Sequence, residues 1–165
     1  MEQLIVTPLR PGELVAGKLL PFAIIGLVEV TLCLPVILWV FQVPMHGNVL
    51  WIYVSSALFL LTTLGLGLLI STMAQTQQQA MLVAAFFVMM PFVLLSGFIF
   101  PVENMPWGIR WATYFIPLKY YLTIIRGVFL KAAGPAVLWP HGLVLLAWGA
   151  GILTLATLRF HKRLD

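Results

Sequence analysis

The chain has 165 residues, of which 62% are hydrophobic and only 8% charged, with a formal net charge of +4. A soluble domain carries about 25% charged residues, so a water-covered globule is excluded. From Val30 to Val102 there is no Asp, Glu, Lys or Arg, and the composition defines an all-α integral membrane protein. The positive charges sit in short segments near span ends, which reads as orientation signal and not as a nucleic-acid surface. The single Cys33 cannot form an internal disulfide.

The opening "MEQLIVTPLRPGELVAGKLLPF" is too polar, and has its charges in the wrong order, for a secretory signal. Residues 1–18 read as a cytoplasmic segment. Within it "EQLIVT" is long enough for about two helical turns, and Pro8 disfavours helix at Thr7. Pro11 and Glu13 then restart a helix that runs into the membrane, with proline in its first turn and an acid at the positive end of its dipole.

A membrane-crossing helix needs about 20 apolar residues. Four stretches qualify: 19–41, 50–73, 80–100 and 139–158. Glu29 is the only acid inside them. It lies eleven residues past Lys18, roughly 16 Å along a helix and so near the midplane. Such an acid is either a functional group facing a polar pathway or a buried carboxyl satisfied by a neighbouring helix. In the second span Thr63, Gly67 and Ser71 recur every four residues beside Gly65, a spacing that lets helices approach closely. "TQQQ" opens the third span with Thr76 as N-cap and Gln79 three residues on, a capping box. Pro140 is expected in the first turn of the fourth span.

The segment 101–138 is apolar enough over 114–130 to suggest a fifth span. Pro117, Lys119 and Arg126 argue against it, because a charge at the centre of a spanning helix costs about 2.5–3.5 kcal/mol. Two short helices are expected, near 106–115 and 118–131, forming a re-entrant or interfacial pair on the extracytoplasmic side. Trp107, Trp111 and Tyr114 fall at i, i+4 and i+7 and make one aromatic face. That face is either an interfacial anchor or a gate. Lys119 and Arg126 reach toward the headgroups. Arg10 and Lys18 at one end, and Arg159, Lys162 and Arg163 at the other, place both ends in the cytoplasm and require an even number of spans. Arg110, Lys119, Arg126 and Lys131 then lie outside, against the usual bias.

Four motifs in order carry a resemblance: "EQLIVTPLRPGELVAGKLLP", "LGLGLLISTMAQTQQQAM", "SGFIFPVENMP" and "PLKYYLTIIRGVFLKAAG". They are spread over residues 2–134, nearly the whole length of the chain. The sequence resembles the permease subunits of type-2 ATP-binding-cassette transporters, in particular the bacterial drug-exporter-like branch. The resemblance implies a C-terminal half, with two further spans expected ahead of it. It implies an ATPase-coupling helix at Glu2, Gln3, Leu4, Ile5, Thr7 and Pro8. It further implies partnership with a cytoplasmic ABC ATPase and a second permease copy, identical or not, in a bacterial inner membrane among its lipids. It implies no cofactor. There is no GxxxxGK[ST] motif for nucleotide. His46, His141 and His161 are scattered, with no metal-site spacing and no catalytic triad. The chain is thus expected to be no enzyme, with energy supplied by the partner. The alternatives from other classes are a truncated fragment or small assembly protein without transport, and a membrane-embedded lipid-modifying enzyme. The latter lacks the cluster of polar residues at one depth that it would need.

Overall fold

A computed structural model describes residues 11–131 and 133–161, with the side chains of 11–14 and 159–161 left aside. The described chain is helical. α1 (Pro11–Pro35) continues into a π-helical turn, Val36–Val40, and α2 is Val49–Met73. α3 (Gln77–Val83) passes through a π-helical segment, Ala84–Met89, into α4 (Met90–Leu95). Next come the short α5 (Trp107–Thr113), α6 (Pro117–Leu130) and α7 (Pro135–His161). Four helices are long and apolar enough to cross a membrane: Val15–Val40, Val49–Met73, Gln77–Leu95 and Pro135–Leu158.

A proline lies near each π-helical stretch: Pro35 directly precedes the first and Pro91 follows the second by two residues, each lacking the N–H that would bond one turn back, while Pro21 and Pro140 sit within regular α-helix. The third long helix ends at Leu95, short of the 80–100 expected, because Gly97 adopts φ +87° and turns the chain out of the helix. The last helix begins one turn earlier than expected. Pro135 takes its first turn, and Pro140 lies inside the helix, not at its start. Thr76 caps α3 as expected, Gln79 N–H donating to Thr76 Oγ1 at 3.2 Å, but the return bond differs from a capping box: Gln79 Oε1 accepts from Gln75 N–H, one residue before the cap, at 3.0 Å. Asn48 caps α2 in the same manner, accepting from Leu50 N–H at 2.9 Å.

Contacts set the directions. Gly26 meets Leu60 and Thr31 meets Tyr53, so α1 and α2 run antiparallel. Trp51 meets Trp139, Thr62 meets Gly149 and Gly65 meets Ile152, so α2 and α7 run parallel. The start of α1 and the end of α7 therefore share one end of the bundle. Glycines make these approaches possible. A Cβ on Gly65 would stand 3.0 Å from Ile152 Cγ2, and one on Gly149 would stand 3.3 Å from Thr62 Oγ1. In hydrocarbon, lipid tails are as apolar as leucine, so such close packing contributes more than exclusion of water.

α6 is the hub of the buried core. Ile124, Val128 and Phe129 pack with Leu34, Ile52, Leu138 and Leu145. At 14 residues it extends about 21 Å, less than the roughly 30 Å of a hydrocarbon core. Its Tyr121 lies beside Ser56 and Phe59 of α2, about 10–15 Å from the start of that helix. Its last turn meets the α1–α2 loop, where Gly47 N–H donates to Val128 O at 2.9 Å and His46 Nδ1 contacts Phe129 O at 3.2 Å. α6 thus starts at depth and returns to the end where α2 begins.

Candidate functional site

Glu29 is exposed on α1, beside a groove of about 270 Å³ walled by α1, α2 and α6. Gly26 sets how close the walls come: a Cβ there would stand 2.6 Å from Leu60 Cδ2. Most of the lining is apolar, including Val30, Leu34, Ile125 and Phe129. The polar exceptions are Glu29, Cys33, Ser56 and Tyr121. Ser56 Oγ and Tyr121 Oη hydrogen-bond at 3.0 Å, and the Tyr121 ring stacks on Phe59 at 4.7 Å and 10°. Nearby, Tyr53 Oη donates to Thr31 Oγ1 at 3.0 Å, and Thr31 Oγ1 donates to Leu27 O of its own helix. Every buried side-chain nitrogen or oxygen among the described residues has a partner. The groove therefore offers one unburied carboxylate against a satisfied, mostly apolar wall.

The remaining sequence candidates are spread over the molecule. Of the small residues of α2, Gly65 is buried against α7. Thr63 is half-buried, its hydroxyl bonded to Phe59 O and Leu60 O of its own helix. Gly67 and Ser71 are exposed, and a Cβ on Gly67 would meet nothing within 4 Å. Within the described chain the α2–α7 contact thus uses Thr62, Gly65 and Gly149, not a Thr63–Gly67–Ser71 seam.

Trp107, Trp111 and Tyr114 do form one exposed aromatic face. Trp107 and Trp111 meet edge to face at 6.3 Å, and Trp111 and Tyr114 lie 6.4 Å apart. The Lys119 ammonium sits 3.6 Å over the Tyr114 ring and donates to Thr113 Oγ1 at 3.1 Å. Burial, and after it the nearby Arg110 charge, push the Lys119 ammonium below the ordinary lysine range. The coupling candidates Glu2, Gln3, Leu4, Ile5, Thr7 and Pro8 lie outside the described residues.

Sequence reasoning missed Ser56, Tyr121, Gly26 and Gly47. A serine pair, Ser55–Ser56, inside an uncharged span was a usable signal for a polar contact across helices. Nothing in the spacing pointed to Gly26 or Gly47, whose neighbours come from distant segments.

These features define a multi-pass, all-α membrane protein. The chain belongs to the ABC-2 type transporter family, whose profile matches residues 1–130. It is 39% identical over its whole length to "Probable multidrug ABC transporter permease YbhS" of Escherichia coli K12, of which it covers 44%. It is 35% identical over 139 residues to the YbhR permease of the same organism, covering 84% of this chain and 38% of that one. It is 29% identical over 163 residues to "Inner membrane transport permease YhhJ", covering 98% of this chain and 43% of that one. The chain thus spans less than half the length of the curated relatives it matches. No solved structure matches it.

Proposed function

We propose that the chain is the C-terminal half of the permease subunit of an ATP-binding-cassette exporter. It sits in a bacterial inner membrane with both ends in the cytoplasm. The permease pairs with a second copy, identical or related, and with cytoplasmic ATPase subunits, which perform the only catalysis. Residues 1–18 receive the push of ATPase closure and pass it to α1. The α5–α6 helix pair is re-entrant and extracytoplasmic, and Trp107, Trp111 and Tyr114 face the exit as a gate. The relatives named as multidrug permeases support drug-like substrates.

The observation that carries this reading is the position of Glu29. A carboxylate exposed halfway along an apolar helix is costly against lipid tails. It is tolerated where that face of α1 meets a polar pathway, and the α1–α2–α6 groove opens beside it. Substrate binds along this groove in the proposed mechanism, and rocking of α1 against α2 changes which end is open. In the complete permease with its ATPase, Glu29→Gln keeps shape and hydrogen bonding and removes only the charge. Dye efflux from everted membrane vesicles is expected to fall with permease abundance unchanged. Normal efflux by Glu29→Gln would overturn the pathway role.

A further inference from the structure

A second cavity lies outside the groove. Its volume is about 390 Å³, and it is walled by one face of α6, the bend after α4 and the start of α7. Lys119, Arg126 and Lys131 line it with His141, against one carboxylate, Glu103. Three of the four cations in 101–138 thus converge on one cavity, the same cations that run against the orientation bias of the sequence. Arg126 reaches across it and donates to Gly97 O at 3.0 Å through one guanidinium nitrogen, which holds the bend after α4. Lys119 is occupied with Thr113 and Tyr114. Lys131 is exposed just past the end of α6. Glu103, also exposed, forms no ion pair with any of these cations among the described residues. Among the described residues, therefore, none of these cations is held in an ion pair, and three of them share the cavity with one carboxylate.

What surrounds the cavity indicates the ligand. Leu130 and Val137, both exposed, line the cavity itself, and the exposed Phe98, Ile99 and Phe100 follow Gly97 directly in the bend that walls it. A cationic pocket collared by exposed apolar side chains matches the boundary between headgroups and acyl chains. A site for a dissolved anion has no use for such a collar.

We propose that this cavity binds the phosphate of an anionic phospholipid, with Arg126 and Lys131 on the headgroup and the acyl chains along the flanking apolar residues. A bound lipid would tie α6 to the bend after α4 and to α7, and so would steady α6. The site stands independently of whether Glu29 serves transport.

The test is native mass spectrometry of the full chain in dodecyl maltoside, titrated separately with phosphatidylglycerol and phosphatidylcholine. Phosphatidylglycerol is expected to bind more tightly. Arg126→Gln with Lys131→Gln should weaken it by about tenfold or more, since charge-assisted hydrogen bonds are lost. Arg126→Lys with Lys131→Arg should retain it. Because Arg126 also holds Gly97, Lys131→Gln alone provides a second reading: weaker phosphatidylglycerol binding with an unchanged thermal midpoint. Equal phosphatidylglycerol binding by the wild type, Lys131→Gln and the double glutamine variant would overturn the proposal, as would phosphatidylcholine binding as tightly. Displacement of phosphatidylglycerol by millimolar inorganic phosphate would overturn the lipid assignment in favour of a soluble anion.

Discussion

Gly47 is where the α1–α2 loop touches the end of α6, and Gly47→Ala tests whether that contact holds α6 in place. The glycine N–H donates to Val128 O at 2.9 Å. A Cβ at residue 47 would stand 2.9 Å from that same oxygen and 3.0 Å from Val128 Cα. Both are backbone atoms, so no side-chain rotation relieves the overlap, and the loop must retreat. Retreat stretches the Gly47–Val128 bond and the adjacent contact of His46 Nδ1 with Phe129 O. A hydrogen bond contributes about 0.5–1.5 kcal/mol net, so losing two costs about 1–3 kcal/mol. At about 2–4 °C per kcal/mol for a chain of this size, the midpoint should fall by about 2–12 °C. The assay is thermal unfolding in detergent followed by fluorescence-detected size exclusion. Gly67→Ala is the control: a Cβ there meets nothing within 4 Å, and alanine favours helix by up to about 1 kcal/mol, so its midpoint should hold or rise. A Gly47→Ala midpoint equal to that of the wild type would refute the close approach on which the argument depends.

Replacing Leu4 and Ile5 with Asp should weaken ATPase pull-down by the complete permease about tenfold or more, because burying such a side chain contributes about 1.5–3 kcal/mol. Membrane insertion should be unchanged, and unaltered association with unaltered ATP hydrolysis would remove the coupling role. With Cys33 replaced by Ala, a cysteine at Gln78 should label only from the cytoplasm and one at Asn48 only from outside; labelling of the C-terminal tail from outside would show that α6 spans. Thr76→Ala removes the acceptor for Gln79 N–H and should lower stability by about 0.5–2 kcal/mol, read as a lower midpoint in the same detergent assay.

The all-α membrane class and the four long apolar helices were legible in the sequence, because both depend on local composition and length. So was the Thr76 cap of α3, which needs only four consecutive residues, although the Gln79 side chain reaches back to Gln75 instead of Thr76. The ends of the third and fourth long helices were less legible. Leu95 is last because Gly97 turns left-handed, and Pro135 leads α7 because the helix absorbs Pro140; neither outcome is dictated by hydropathy. The depth of Glu29 came from counting residues. Its exposure beside a groove with Tyr121 and Ser56 came only from how α1, α2 and α6 pack. The small residues of α2 show the same division. A spacing of four marks Thr63, Gly67 and Ser71 equally, yet only the rotation of α2 against α7 decides that Gly65 and Thr62 are the ones covered. The convergence of Lys119, Arg126 and Lys131 on one cavity is likewise tertiary. Their charge was plain in the sequence, but a shared cavity depends on the bend at Gly97 and the start of α7 meeting one face of α6. Apolar length is a property of each segment alone, whereas contacts between segments depend on helix rotation and offset, which no short stretch of sequence encodes.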